Sequence, residues 1–371
     1  MIQKIGILTF HASHNYGSML LTYALQTCLK SQGYEAKVIN FRSFAQGAFY
    51  PKPKRANVDE LLKNPRLFFQ NRSKWLKFED FMKTHYTTTR ECSWLYDLEA
   101  VIGEEQFDAI ITGGDQIWNM NCPDFSPAYY LPFDTPNVRR ISYCPSFGGM
   151  DYWKPQHYGA TIRNLLDNYD YVSVREKDAA KFLTELLGRD VPSVADPAFL
   201  MNRQDYEDLA GSEAIAKGDY LFYYTSWDAK RFSSVVSSYA KKQGLKVVVS
   251  NGGKMAGDGW VNLNDCGPIE FLNLLKHSKV VVGESFHLAV FSMILHKPFY
   301  VVTDQKEARM GGLLNSAGLS SRYVLTDKGF PQEDEEIDWE KIDAYIEAER
   351  KTSFDFLTHA LNDHTCRIDK A

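Results

Sequence analysis

A histidine stands at a position where α/β proteins usually bind their ligands. His287 follows the β-branched run Val280–Val282 and the strand-breaking Gly283, and it precedes the apolar, helix-like run Leu288–Leu295. It is therefore expected in the first turn of a helix, at the carboxyl end of a parallel strand. The helix N-terminus would attract an anion, and an imidazole beside it could transfer a proton. The pattern indicates acid–base chemistry on an anionic substrate; the structural alternative is a cap at Ser285 with a half-buried His287.

Basic residues also occur just after predicted strands, at the carboxyl ends where α/β proteins bind ligands. Arg175 comes directly after one strand, and Lys306 and Arg309 come after another. A guanidinium can bind a carboxylate or a phosphate through two parallel hydrogen bonds. These residues are candidate anion contacts, with Arg309 favoured over Lys306. The structural alternative for Arg175 is an ion pair with Glu176 or Asp178.

The segment Asn15, Tyr16 and Gly17 joins the first predicted strand to the first predicted helix. Consecutive backbone N–H groups in such a loop can form a concave anion or ligand site. The three residues are therefore candidates for ligand binding. A tight turn between strand and helix, without a ligand, explains the same residues equally well.

A second loop of this kind contains Gly113, Gly114 and Asp115, with Trp118 three residues later. Glycines allow a ligand to approach the backbone closely. Asp115 could accept hydrogen bonds from sugar hydroxyls, and Trp118 could stack on a sugar ring. The structural alternatives are that Asp115 caps a helix and that Trp118 fills the core.

Bulk composition limits the function classes. The chain has 371 residues, 44% hydrophobic and 24% charged, which is ordinary for globular domains, and its net charge of −5 argues against a general nucleic-acid or anionic-membrane surface. No export signal, membrane-length apolar run or metal-ligand spacing occurs. The scattered cysteines are therefore expected to be free thiols in a reducing cytoplasm. They are Cys28, Cys92, Cys122, Cys144, Cys266 and Cys366.

Strand-like and helix-like segments alternate along most of the chain, and the pattern restarts after about residue 200. This order predicts two Rossmann-like, doubly wound α/β domains facing each other across a cleft. Residues 1–200 would form the first domain, with a helical insertion at 45–90, and residues 201–335 the second. The terminal helix, residues 338–361, would cross back to the first domain.

Four groups of residues together resemble the polysaccharide pyruvyl transferase family over roughly residues 4 to 320. The groups are His14-Asn15-Tyr16-Gly17-Ser18 with Tyr23-Ala24-Leu25-Gln26; Gly113-Gly114-Asp115-Gln116-Ile117-Trp118-Asn119; Ser173-Val174-Arg175-Glu176 with Asp196-Pro197; and Ser285-Phe286-His287 with Lys297-Pro298. The resemblance implies a fold like that of the two-domain GT-B glycosyltransferases. Characterised members transfer pyruvate from phosphoenolpyruvate onto a sugar diol as a cyclic ketal. The chain departs from the family at Gly114, where Ser is frequent, and at Glu284, where Asp is frequent.

The resemblance implies a role for each candidate residue. His287 would protonate phosphoenolpyruvate, and Asp115 would orient or deprotonate the acceptor hydroxyl. The donor contacts would be Arg175, Ser285, Lys306 and Arg309. The acceptor contacts would be Asn15, Tyr16, Gly17, Gly113, Gly114 and Trp118. The second domain would hold the donor and the first the acceptor, with no cofactor and no metal.

The expected partners are phosphoenolpyruvate and a sugar acceptor, which could be linked to a lipid at the inner face of the membrane. A cytoplasmic protein, or one peripheral to the membrane, would suit both. Two alternatives stay open, because a fold does not fix a function. One is a GT-B glycosyltransferase with a nucleotide-sugar donor. The other is a non-catalytic glycan-binding or scaffold protein.

Overall fold

The computed structural model describes residues 2–52, 62, 64–148, 155–225, 230–250, 259–305, 307–333 and 335–363, with only the backbone of 155–157 and 308. These residues form two compact units. The first comprises the described residues of Met1–Pro51, Met82–Met201 and Glu347–Ala371, and the second those of Lys52–Phe81 and Asn202–Ile346. Each unit is built on one parallel β-sheet covered by helices.

The sheet of the first unit has the strand order β2-β1-β3-β4-β5, and all its pairs are parallel. The strands are β1 (Lys4–Leu8), β2 (Glu35–Val38), β3 (Ala109–Gly113), β4 (Arg139–Tyr143) and β5 (Tyr171–Val172). Every residue of β3 is buried, as expected for a central parallel strand with helices on both faces. Two apolar clusters form the core of this unit, one containing Ile110 and the other its neighbour Ile111.

The sheet of the second unit has the order β11-β10-β9-β6-β7-β8, again entirely parallel. Its strands are β6 (Tyr220–Tyr224), β7 (Lys246–Val249), β8 (Val261–Asn262), β9 (Val280–Gly283), β10 (Phe299–Thr303) and β11 (Tyr323–Leu325). The β-branched Val280–Val282 run occupies the centre of this sheet and is fully buried with the rest of β9.

The α-helices connect these strands. In chain order they are α1 (Tyr16–Ser31), α2 (Phe44–Phe49), α3 (Pro65–His85), α4 (Leu95–Glu105), α5 (Pro155–Leu166), α6 (Lys177–Leu187), α7 (Arg203–Ala210), α8 (Ser233–Lys242), α9 (Pro268–His277), α10 (Phe286–Ile294), α11 (Ala308–Ser316) and α12 (Trp339–Asn362). Residues of α3 and α12 belong to both units. The C-terminal part of α12 packs in the core of the first unit through Leu357 and Leu361.

The predicted α/β fold class is confirmed: both units have the parallel, doubly wound pattern. The stretch at 191–194, after the last strand of the first sheet, forms only a single bridge, between Val174 and Ser193. The segment 52–81, predicted as part of an insertion in the first domain, groups with the second unit. Its contacts with that unit include the ion pairs of Lys77 with Glu270 at 2.9 Å and with Asp265 at 3.4 Å.

Candidate functional site

In each sheet, a central strand ends in a glycine, and the neighbouring strand leaves no room there for a side chain. Gly113 ends β3 beside Tyr143 of β4, and Gly283 ends β9 beside Tyr224 of β6. A Cβ atom at either position would lie 1.9 Å from the carbonyl oxygen of that tyrosine. The glycines therefore allow adjacent strands to pair up to their last residue. The sequence analysis predicted Gly113 as a ligand contact. The close approach of Tyr143 explains the glycine at this position without a ligand.

In the second unit, helix α10 begins directly after β9, so its N-terminus lies at the carboxyl edge of the sheet. Ser285 is at the N-cap position, but its side chain makes no capping hydrogen bond. His287 lies in the first turn and is 6% exposed, and its ring meets the ring of Phe286 edge to face at 5.5 Å. This is the placement that the sequence predicted for His287. Capping by Ser285, the structural alternative, is not observed.

Arg309 lies in the first turn of α11, which follows the neighbouring strand β10. Its guanidinium carbon is 5.2 Å from the centre of the Phe286 ring, and Nη2 pairs with Glu307 at 2.8 Å. Nε is buried and has no hydrogen-bond partner among the described residues. Phe286 therefore contacts both the predicted cation and the predicted acid, which places Arg309 and His287 in one cluster.

A carboxyl group to which the sequence analysis assigned no role lies at the same sheet edge, directly after β9. Glu284 accepts a hydrogen bond from Thr225, and one of its oxygens lies 3.6 Å from Arg231. Burial raises the pKa of Glu284 above its ordinary value, although Thr225 and Arg231 oppose that shift. Arg231 also pairs with Asp304 at 2.8 Å. Arg231, Glu284 and Asp304 follow β6, β9 and β10, so these three strands bring titratable side chains to one sheet edge. Sequence spacing alone could not predict that Arg231 lies there.

Asp115 occupies the corresponding edge of the first unit, in the turn that follows β3. Its φ is +48°, in the left-handed region where Asp is tolerated better than most residues. One carboxylate oxygen accepts a hydrogen bond from Ser18 and the other from the backbone N–H of Gln116 at 2.8 Å. No helix starts here, so the capping alternative does not apply. Asp115 is 9% exposed and is held in a fixed orientation.

A second carboxyl group lies close to Asp115. Asp124 accepts a hydrogen bond from Ser13 at 3.0 Å, and Gln46 in turn donates to Ser13 at 2.9 Å. Burial raises the pKa of Asp124, and the charge of Asp115 adds to this shift. Neither Ser13 nor Asp124 was a candidate from sequence. Ser18, the partner of Asp115, was part of the first motif but carried no assigned role.

Arg175 belongs to the first unit, whereas Ser285, His287 and Arg309 belong to the second. Its guanidinium pairs with Asp196 at 2.8 Å, and both side chains are almost fully buried. Burial alone would lower the pKa of Arg175, but Asp196 and other acidic neighbours outweigh it and raise the pKa. The structural alternative supposed a pair with Glu176 or Asp178, and the ion pair found is with Asp196.

The loop before α1 has a clear structural role. The side-chain oxygen of Asn15 caps α1 by accepting from Gly17 N–H at 2.9 Å and from Ser18 N–H at 3.4 Å. Tyr16 is 1% exposed and Gly17 is buried as well. These contacts show that Asn15, Tyr16 and Gly17 form the start of helix α1. This is the tight turn between strand and helix that the sequence analysis gave as the alternative to ligand binding.

Trp118 lies in the core of the first unit. It is completely buried, its ring is stacked on Tyr130 at 5.2 Å, and Phe147 and Tyr169 pack nearby. The prediction that Trp118 stacks on a sugar is therefore not supported, because its ring is covered by protein.

Gly114 has φ +73°, and a Cβ there would lie 2.4 Å from a methyl group of Leu21, so the turn itself favours glycine.

Lys306 lies outside the described residues. Among the residues that the structure does describe, no cluster of His, Cys, Asp and Glu side chains is arranged to hold a metal ion. Within the same residues, no helix is both long and apolar enough to cross a bilayer.

Burial raises the pKa of the Cys28, Cys92 and Cys266 thiols to about 12, which makes each of them a poor nucleophile.

The two parallel-sheet units define a GT-B-type fold, and structures of that type resemble the chain over nearly its full length. UDP-N-acetylglucosamine 2-epimerase from Rickettsia bellii has a TM-score of 0.55 at 11% identity, covering 97% of each chain. The enzyme from Neisseria meningitidis, bound to UDP-GlcNAc, has a TM-score of 0.53 at 11% identity, covering 98% of this chain and 100% of that one. At such low identity these likenesses establish the fold alone.

The sequence model of the family "Polysaccharide pyruvyl transferase" matches residues 15–305. The chain therefore belongs to the polysaccharide pyruvyl transferase family, as its motifs predicted, and it is a transferase of that family. None of the curated proteins gives a significant match to the chain.

Proposed function

We propose that this protein transfers pyruvate from phosphoenolpyruvate onto a sugar diol of a polysaccharide or lipid-linked oligosaccharide, forming a cyclic ketal and releasing phosphate. Family membership supports a pyruvyl transfer in general. The observation that carries the donor assignment is the cluster at the carboxyl edge of the second sheet. There Arg309 lies over Phe286, and His287 follows in the first turn of α10.

Phosphoenolpyruvate carries a carboxylate and a phosphate, and this cluster offers suitable groups for both. The N-terminus of α10 supplies backbone N–H groups and a positive dipole, and Ser285 adds a hydroxyl that is not used as a cap. Arg309 supplies a charged donor whose Nε is without a hydrogen bond among the described residues. We assign donor binding to these groups. We assign Arg175 to positioning, because its guanidinium is already paired with Asp196.

The chemistry follows from the donor. His287 delivers a proton to the methylene carbon, the π electrons of the C=C bond form the new C–H bond, and the adjacent carbon becomes an oxocarbenium centre. A sugar hydroxyl adds to this centre and gives up its proton. Phosphate then leaves with the electrons of its C–O bond, and the second hydroxyl closes the ring and releases another proton. The imidazole recovers one of the two released protons, and the other passes to phosphate or solvent. Arg309 would stabilise the departing anion.

On the acceptor side, the proposal relies on Asp115 rather than on all the residues predicted from sequence. Its carboxylate is held by Ser18 and Gln116 in a fixed orientation, which suits a group that accepts a hydrogen bond from a sugar hydroxyl. Asn15 and Trp118 serve the fold instead, as the cap of α1 and as part of the core.

A nucleotide-sugar transferase is the second candidate, favoured by the similarity of the fold to sugar-nucleotide enzymes such as the UDP-GlcNAc-bound structure. Thermal shifts with phosphoenolpyruvate and with UDP-sugars separate the two, because a ligand that binds only the folded state stabilises it by an amount that grows with the ligand concentration relative to Kd. Phosphoenolpyruvate should raise the melting temperature and give acceptor-dependent phosphate release. Stabilisation by UDP-sugars alone would favour the second candidate, and no phosphate release with any sugar diol would contradict the first.

A further inference from the structure

Three aromatic rings form a row that begins in the loop before α1. The ring centre of His14 lies 6.0 Å from that of Tyr50, with the two planes tilted by 36°, and Tyr50 meets Phe49 edge to face at 4.8 Å. Phe49 is 44% exposed, and His14 and Tyr50 are half-buried. The row therefore presents part of its ring surface to solvent, where a ligand can reach it.

Helix α2 fixes this aromatic row relative to a carboxyl group of the first unit. Gln46, in α2, donates to Ser13 at 2.9 Å, and Ser13 donates to Asp124 at 3.0 Å. Gln46 and Ser13 are both almost fully buried, so the anchor is internal. At the end of α2 the backbone N–H of Tyr50 donates to the carbonyl of Gln46 at 2.9 Å. The rings and Asp124 are therefore parts of one hydrogen-bonded structure.

The same loop also holds Asp115, the residue assigned above to the acceptor hydroxyl. Ser18, which is near His14 in sequence, donates to one oxygen of Asp115. The charge of Asp115 contributes to the raised pKa of Asp124, so the two carboxyl groups are close together. One short segment of chain thus connects a hydroxyl-binding carboxylate to an aromatic surface.

The chemistry of this surface favours a carbohydrate. A sugar has hydroxyl groups that donate to a carboxylate and flat C–H faces that pack on aromatic rings. A nucleotide or an anionic lipid would need cations for its phosphates, and the negative charge of Asp115 repels such groups. The completely buried Trp118 cannot supply a sugar-stacking ring, whereas Phe49 and Tyr50 can.

We propose that His14, Phe49 and Tyr50 bind the sugar ring next to the diol-bearing ring of the acceptor. The inference rests on the proposed function, because that function places the diol at Asp115. It makes the acceptor an oligosaccharide or a polysaccharide rather than a free monosaccharide. A second sugar ring gains contact area with the aromatic rings that a single ring bound at Asp115 does not have.

Ligand-observed NMR titration of the full chain tests this subsite without any turnover. The probes are the methyl glycosides of galactose, glucose and mannose and the linear trisaccharide of each. For at least one of these sugars, the trisaccharide should bind wild type about fivefold more tightly than the methyl glycoside. Tyr50→Leu should remove this preference for length, and Tyr50→Phe, which keeps the ring, should retain it. Melting temperatures of the variants confirm that each is folded.

Phe44→Leu is the matched control. Phe44 lies on the same helix and is 78% exposed, but it makes no ring contact among the described residues. The control should therefore keep the preference of the wild type for the trisaccharide.

Three results would overturn the subsite: no binding of any probe, no preference of the wild type for a trisaccharide, or a preference that survives in both Tyr50→Leu and Phe49→Leu. Acceptor-dependent phosphate release measures the proposed function separately. Sugar binding with the expected preference for length, but without phosphate release, would contradict pyruvyl transfer alone. Phosphate release with a preference that the variants leave unchanged would contradict the subsite alone.

Discussion

The guanidinium carbon of Arg309 lies 5.2 Å from the ring centre of Phe286, the residue that precedes His287 at the start of α10. Two loops that are distant in sequence, after β9 and after β10, thereby place a cation and an imidazole at one sheet edge. This arrangement is the basis of the proposed donor site. The consequences for binding, catalysis and stability can each be measured.

Arg309→Gln should weaken phosphoenolpyruvate binding about 10- to 100-fold, because a hydrogen bond to a charged group contributes roughly 1.5–3 kcal/mol. Isothermal titration calorimetry measures this directly. Arg203→Gln is the matched control, since Arg203 is 2.8 Å from His296, which lies beyond the C-terminal end of α10. Equal affinity for the Arg309 variant and wild type would remove Arg309 from the donor site.

Asp115→Asn should raise the acceptor KM or lower kcat by at least about tenfold, while the affinity for phosphoenolpyruvate stays unchanged. The amide is nearly the same size but carries no negative charge for a sugar hydroxyl. Asp108→Asn is the matched control, because Asp108 is a half-buried loop carboxylate that likewise accepts backbone hydrogen bonds, from Gln3 and Lys4 at 2.8 Å each. Steady-state kinetics with varied acceptor would decide, and normal kinetics would leave Asp115 with a structural role only.

The sequence predicted the fold class well, because central strands such as β3 and β9 are continuous runs of mostly β-branched and aliphatic residues. It also placed His287 correctly, since Gly283 and the apolar run after it mark the strand end and the helix start. It could not distinguish a core tryptophan from a ligand-stacking one: Trp118 is buried by Tyr130 and Phe147, which are remote in sequence. The ion pair of Arg175 with Asp196 and the contact of Glu284 with Arg231 likewise depend on tertiary packing.

Trp118 provides a test of core packing against sugar stacking. Trp118→Ala should lower the free energy of unfolding by about 3–5 kcal/mol, because it leaves a cavity beside Tyr130. Trp118→Phe should lose less stability and keep the acceptor KM of the wild type. Denaturant unfolding and acceptor kinetics on both variants give the answer. A stable Trp118→Phe protein with a strongly raised acceptor KM would restore the stacking role.

The raised pKa of Glu284 predicts that the stability of the protein depends on pH. Its pKa is raised above the ordinary 4.5, mainly by burial, so the folded state holds the proton more tightly than the unfolded state. Stability from this group is fully present below the ordinary pKa and is lost as pH rises through the raised value. Glu284→Gln should therefore have a melting temperature that gains on wild type as the pH rises above the ordinary pKa of 4.5. A difference that is constant, or that shrinks with pH, would contradict this origin.

The most direct test of the account is the activity of His287→Gln. Gln can hydrogen-bond in the same place but cannot deliver a proton, and general acid catalysis is typically worth about 10²–10⁴-fold. The variant should keep its circular dichroism spectrum and its affinity for phosphoenolpyruvate, yet release phosphate at least about 10²-fold more slowly with a sugar diol. A folded His287→Gln protein whose phosphate release is within a few-fold of wild type would contradict the assignment of His287 as the proton donor.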